Sequence, residues 1–124
     1  MLVLDANILM RAVLGRRIRP LLAKYRSTVR FHAPLTAFRE ANDNLLHVVP
    51  MRGGNLQLAL ATLHELRESM SRVPLEVYER FEAGARERLV RRDPDDWPIL
   101  AAALALECAI WTEDRDFFGV GVAT

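Results

Sequence analysis

Leu2-Val3-Leu4-Asp5-Ala6-Asn7-Ile8-Leu9, residues 2–9, governs how the rest of the chain is read. Three consecutive apolar residues make a short buried strand, and from Ala6 the spacing changes, with Ile8, Leu9, Ala12 and Val13 falling on one face of a helix. Asp5 stands at the junction. Asp5 and Asn7 are both candidate caps for that helix, and Gly15 closes it. A strand that passes directly into a helix is the unit of a parallel-sheet α/β protein, whose strand carboxyl ends gather along one edge and form ligand sites there.

The same alternation continues outward. Pro20 opens a second helical pattern with Leu21, Leu22 and Tyr25 as its apolar positions, and Val29 to Ala33 reads as a second strand ended by Pro34. Leu35 to about Val48 predicts a helix burying Leu35, Phe38, Ala41, Leu45 and Leu46, with Glu40 beside that stripe. Gly53-Gly54 breaks the chain before a long amphipathic segment from Asn55 to Met70, whose apolar positions include Leu56, Leu60, Leu63 and Leu66. Val73-Pro74-Leu75 reads as an extended connection, and Val77 to Val90 as a charged helix with Phe81, Ala85 and Leu89 at core spacing. In Asp93-Pro94-Asp95-Asp96-Trp97-Pro98 acids accumulate where a helix begins, which suits both capping and the helix dipole. Ile99 to Glu107 is so apolar that its helix must be buried on most faces. Ala109 to Thr112 is a third strand, followed by polar Glu113 to Asp116 and a candidate edge strand at Val120 to Ala123.

With 124 residues the chain is expected to form one domain, 1–124, and a 51% hydrophobic, 27% charged composition is that of a globular protein rather than a disordered one. The lone Cys108 rules out an internal disulfide and reads as a core residue within the apolar helix. Met1 leads straight into the first strand with no basic leader, and no apolar run approaches the roughly 20 residues of a membrane span. A cytoplasmic protein without membrane contact is expected. The net charge of +1 does not announce a nucleic-acid binder, yet Arg11, Arg16, Arg17 and Arg19 crowd the stretch after the first acid. An acidic pocket repels a polyanion, so these cations are candidates for holding a phosphate backbone near it.

The acids carry the chemistry. Asp5, Glu40, Asp96 and Asp114 are far apart in sequence, but each lies at or near a strand or helix end that the topology carries to one edge. Like charges gathered there are costly unless a cation is bound among them. Carboxylate oxygens suit hard cations such as Mg²⁺ or Mn²⁺, which polarise a phosphoryl oxygen and acidify an attacking water. No His/Cys spacing suggests zinc; His32, His47 and His64 read as structural or surface residues, and Trp97 and Trp111, which adjoin the acids, as packing residues with stacking on a nucleobase as the alternative. Gly53-Gly54 lacks the lysine of a phosphate loop.

At these residues the chain resembles the PIN domain, a family of metal-dependent ribonucleases that includes toxins of bacterial toxin–antitoxin pairs. The matching segments are residues 4 to 9, Thr36-Ala37-Phe38-Arg39-Glu40, Asp95 through Ala103, and Trp111-Thr112-Glu113-Asp114-Arg115-Asp116-Phe117, in the family's order and spanning nearly the entire chain. The resemblance implies a three-layer α/β/α sandwich around a parallel sheet and an acidic pocket that binds Mg²⁺ or Mn²⁺ for RNA hydrolysis. By position Asp5, Glu40, Asp96 and Asp114 match the catalytic quartet, with Asp95 the alternative for the third acid. Asp5, Asp96, Asp114 and the auxiliary Asp116 are the implied metal ligands, Asn7 and Thr112 the supporting polar residues, and Arg11, Arg16 and Arg17 the candidate substrate contacts. An RNA substrate, a cognate antitoxin and a homodimer are the implied partners. A non-catalytic RNA- or protein-binding module and a Mg²⁺-dependent phosphohydrolase of small esters are the alternatives; the second lacks the Asp-x-Asp it would need, since residue 7 is Asn.

Overall fold

The computed structural model describes residues 1–91 and 93–112. Asp114, Asp116 and the strand expected at Val120 to Ala123 lie outside the described residues. The chain runs β1 (Leu2–Leu4), α1 (Ala6–Leu14), α2 (Ile18–Tyr25), β2 (Phe31–Pro34), α3 (Leu35–Met51), α4 (Leu56–Ser69), β3 (Ser71–Val73), α5 (Leu75–Tyr78), α6 (Glu82–Arg88), α7 (Trp97–Leu106) and β4 (Ala109–Trp111). Short 3₁₀ turns at Glu79–Phe81 and Pro94–Asp96 precede α6 and α7.

Among the described residues the four strands form one sheet of order β3-β2-β1-β4, every pair parallel. Leu2, Val3 and Leu4 pair with Ala109, Ile110 and Trp111 on one side, and Leu2 and Val3 with Phe31 and His32 on the other. One helical group, α1, α3 and α4, packs together, while α7 lies against β1, β2 and β4 and carries α5 and α6. This is the three-layer α/β/α arrangement. Strands of three or four residues suffice because β1 and β2 are central and almost wholly buried, their alternate side chains entering the layer on each face.

The local chemistry explains the element ends. Asp5 caps α1, its Oδ1 accepting from the Ile8 amide at 2.9 Å, and Asn55 caps α4 in the same way through the Leu58 amide at 3.0 Å. Gly15 ends α1 as expected: its amide donates to the Arg11 carbonyl at 2.7 Å, and a Cβ there would sit 2.8 Å from that same oxygen. Gly53, at φ +69°, takes the left-handed turn that separates α3 from α4. Helix α7 ends at Glu107, a non-glycine residue at φ 53°.

Several expectations are corrected. Helix α2 begins at Ile18, before Pro20, and buries Ile18 and Leu22, while Leu21 and Tyr25 face solvent. Proline lacks only an amide that the first helical turn leaves unbonded anyway, so it tolerates the third position as well as the first. Strand β2 is shifted to Phe31–Pro34, and Leu46 of α3 is exposed. The connection at Val73 belongs to a real edge strand, β3, whose exposed Ser71 and Arg72 give no apolar run to read. The helix expected from Val77 to Val90 is split by a 3₁₀ turn, and Tyr78, outside the expected core set, is buried at 1% exposure. Cys108 follows α7 rather than lying in it and is half-buried; burial raises its thiol pKa and keeps it protonated.

His32 is 8% exposed, and its Nε2 has no hydrogen-bond partner among the described residues. Burial, then the charges of the Met1 amino group and Arg30, lower its pKa from the ordinary 6.5. The folded state therefore favours the neutral ring. Stability is full above about 6.5, declines as the pH falls below the unfolded-state value, and levels off beneath the folded one. A His32→Leu variant is expected to lose this acid-side decline in thermal midpoint; an unchanged profile would assign it to other groups.

Candidate functional site

Strand polarity places the site. All four strands point the same way, so Asp5 after Leu4, Leu35 after Pro34 and Thr112 after Trp111 open at one edge. Helix α7 ends just before β4 enters the sheet at its amino end, so its start, immediately after Asp96, is directed back toward the carboxyl edge.

Asp5 is 5% exposed and holds both carboxylate oxygens in defined contacts. Oδ1 accepts from the Ile8 amide, and Oδ2 accepts the hydroxyl of Thr112, itself buried and 107 positions away in sequence. The helix start and the end of β4 thus fix the carboxylate from two sides. Glu40, in the second turn of α3, keeps an exposed surface but is close enough to feel the site: partial desolvation first, then the charges of Asp5 and Asp93, raise its pKa above the ordinary 4.5. Asp93 caps the 3₁₀ turn ahead of α7 by accepting from the Asp95 amide at 3.0 Å. Asp96 is half-buried whereas Asp95 is exposed.

Of the expected residues, Asp5, Thr112 and Glu40 come together, and topology directs Asp96 to the same edge. Asn7 is exposed in the first turn of α1. Asp114 and Asp116 lie outside the described residues. Asp93, read in the sequence only as part of a turn, is the added carboxylate; with three acids in four residues no periodicity separates them. Trp97 packs on Tyr78 with ring centroids 5.6 Å apart beneath the Arg86 guanidinium, and Trp111 packs on Phe31 at 6.3 Å, so both are engaged in packing. The arginines after α1 stand farther off: the helix spans nine residues, about 13 Å at 1.5 Å per residue, before Arg16 and Arg17. Arg19 lines a separate cavity of about 500 Å³ with Arg26, Leu22 and Phe31.

The electrostatic strain on Glu40 is testable without any ligand. An ionised Glu40 is disfavoured in the folded protein, so Glu40→Gln should raise the thermal midpoint near pH 7. The gain should shrink as the pH falls below the folded pKa and vanish below the unfolded value near 4.5, where both states carry the proton. A gain that persists at pH 4 would locate its cause in packing instead.

Among the described residues no group of three or more His, Cys, Asp or Glu side chains is close enough to hold a metal alone. The donor set at the edge still fits a hard dication: it is carboxylate and hydroxyl oxygen throughout, and burial together with the charges of Asp5 and Asp93 raises the proton affinity of Glu40. Mg²⁺ is commonly held by one or two carboxylates, with water and substrate oxygens completing the shell.

No helix of the described residues is long and apolar enough to cross a membrane. No curated protein matches the sequence. Two solved structures share the fold: a toxin–antitoxin complex from Klebsiella pneumoniae, 16% identical with a TM-score of 0.76 over 100% of this chain and 96% of that one, and VapBC2 from Rickettsia felis bound to a DNA fragment from their promoter, 11% identical with a TM-score of 0.75 over 98% and 96%. The model of the PIN domain family matches residues 3–124, almost the full sequence, and with the parallel sheet and its acidic carboxyl edge this makes the chain a member of the PIN domain family.

Proposed function

We propose that the protein is a Mg²⁺- or Mn²⁺-dependent endoribonuclease of the cytoplasm, a single domain acting as the toxin of a toxin–antitoxin pair. The observation that carries this reading is Asp5, a buried carboxylate clamped between the Ile8 amide and the Thr112 hydroxyl, beside a Glu40 whose proton affinity is raised by burial and then by the charges of Asp5 and Asp93. The likeness to two toxin–antitoxin structures supports an antitoxin partner, and a homodimer belongs to the same reading.

Asp5, Asp96, Asp114 and Asp116 would hold the metal, with Asn7 and Thr112 as supporting groups. A divalent cation there supplies charge neutralisation at the scissile phosphate and lowers the pKa of an attacking water. The chain's own part is positional. Thr112 and the Ile8 amide keep Asp5 in one orientation. Glu40, its pKa raised above the ordinary carboxylate value by burial and by the charges of Asp5 and Asp93, is suited to take the proton of the incoming water, and Asp96 at the head of α7 completes the catalytic quartet with Asp114. Arg11, Arg16 and Arg17 would meet more distant nucleotides of the strand.

Incubating the protein with single-stranded RNA in Mn²⁺, in Mg²⁺ and in chelator tests the reading. Internal cleavage that requires the metal is the expected result. Hydrolysis of a phosphomonoester without cleavage of RNA would replace it with a small-ester phosphohydrolase, and RNA binding without cleavage under any metal would leave a non-catalytic module.

A further inference from the structure

We propose that the cleft between α3 and α4 is a subsite for the phosphodiester backbone of a single-stranded nucleic acid, beside the acidic centre and separate from it. The proposal rests on the nuclease reading. The cleft has a volume of about 300 Å³. Its floor includes Phe38 and Leu63, each 5% exposed, and its rim carries Arg39 and Asn42 from α3 and His64 and Arg67 from α4. Spacings of three residues on each helix turn both rim pairs toward the same opening.

Among the described residues every ionisable side chain lining the cleft is an arginine or a histidine, and none is a carboxylate. Both arginines are exposed, and among the described residues neither has an ion-pair partner: Glu68, next to Arg67, is taken by Arg72 at 3.0 Å. Two unpaired guanidiniums over one opening suit planar, bidentate binding of phosphate oxygens. Arg39 also directly precedes Glu40, so about 100° of one helical turn separates the cationic flank of α3 from its acidic flank. A strand whose cut phosphate lies at the acids needs cations beside that repulsive pocket, and this cleft supplies them at closer sequence distance to Glu40 than the arginines after α1 do.

An acidic peptide is the competing occupant. Phe38 and Leu63 are covered by the protein's own packing and Leu35 and Leu60 are half-buried, whereas the exposed side chains at the opening are Arg39, His64 and Arg67. Exposed cations beside a modest apolar floor favour backbone binding to nucleic acid over an apolar-anchored peptide.

The test is binding of a short fluorescent single-stranded RNA in chelator, which makes it independent of cleavage. The double variant Arg39→Gln/Arg67→Gln is compared with Arg30→Gln/Arg52→Gln, exposed arginines outside the cleft that remove the same charge. Losing two phosphate contacts should lower the slope of log affinity against log salt by about 1.4, so that wild type loses about sevenfold more affinity than the variant between about 50 and 200 mM salt. The control variant should keep the wild-type slope. An unchanged slope in the cleft variant, or an equal drop in the control, overturns the proposal, as does tight binding of polyglutamate that the cleft variant alone loses while its RNA slope holds. A lowered slope together with no metal-dependent cleavage by the wild type supports the subsite and removes the nuclease reading alone.

Discussion

Asp5→Asn is expected to lower metal-dependent RNA cleavage by more than about 100-fold, the upper end of what loss of a group merely supporting the ligands costs. The fold should survive. Asn ranks with Asp as a helix N-cap, because its amide oxygen can still accept from the Ile8 amide, and its amide nitrogen can donate to the Thr112 hydroxyl where Asp5 now accepts. Removing one negative charge also relieves Glu40. The thermal midpoint of the metal-free protein should therefore stay within a few degrees of wild type or rise, while the stabilisation added by Mn²⁺, about 2.7 kcal/mol at a hundredfold excess over Kd in the wild type, should disappear. Asp5→Ala, which removes the cap as well as the charge, should cost about 1 kcal/mol more in stability. Near-normal cleavage by Asp5→Asn would show that this carboxylate is not part of the chemistry.

Leu100→Ala should be the most damaging single truncation in α7. Leu100 has no exposed surface and belongs to a run, Ile99 to Ala103, in which every residue is buried between the sheet and the outer helices α5 and α6. Neighbours in a run of alanines have little side chain with which to fill the void, so the loss is expected at about 2–5 kcal/mol, a large share of the 5–15 kcal/mol typical of a whole domain. A fall of about 10 °C in the thermal midpoint, with cleavage retained below the transition, is the expected readout. Leu58→Ala on the exposed face of α4, where Leu58 is 65% accessible, should change stability by no more than about 0.5 kcal/mol. Equal effects at the two positions would mean that α7 is not the central packing element.

Periodicity was sufficient for several elements that bury one face or all of it, though not for α2, where Leu21 and Tyr25 turn out exposed. The apolar run at Leu2–Leu4, the stripe through Phe38, Ala41 and Leu45, the Asn55 cap and the continuous apolar α7 all correspond to local rules that act within a few residues. Those rules fail where local and tertiary preferences part company. Strand β3 carries two exposed residues and owes its assignment to pairing with β2, and Tyr78 is buried where α5 packs on α7, its ring against Trp97.

The candidate site divides in the same way. The sequence by itself determined which residue types are available, acids at element ends with no histidine or cysteine pattern to favour a softer metal, and it determined the strand-to-helix alternation that makes the sheet parallel. Only the tertiary structure decided that the Thr112 hydroxyl meets Asp5 across 107 positions, that Asp93 joins Asp5 in acting on Glu40, and that the arginines of α3 and α4 share a cleft. Contacts of that kind depend on how β4 pairs with β1 and how α3 packs on α1 and β2, and the free energy of docking comes from buried apolar residues elsewhere in the chain, so the spacing of the polar groups carries no trace of it.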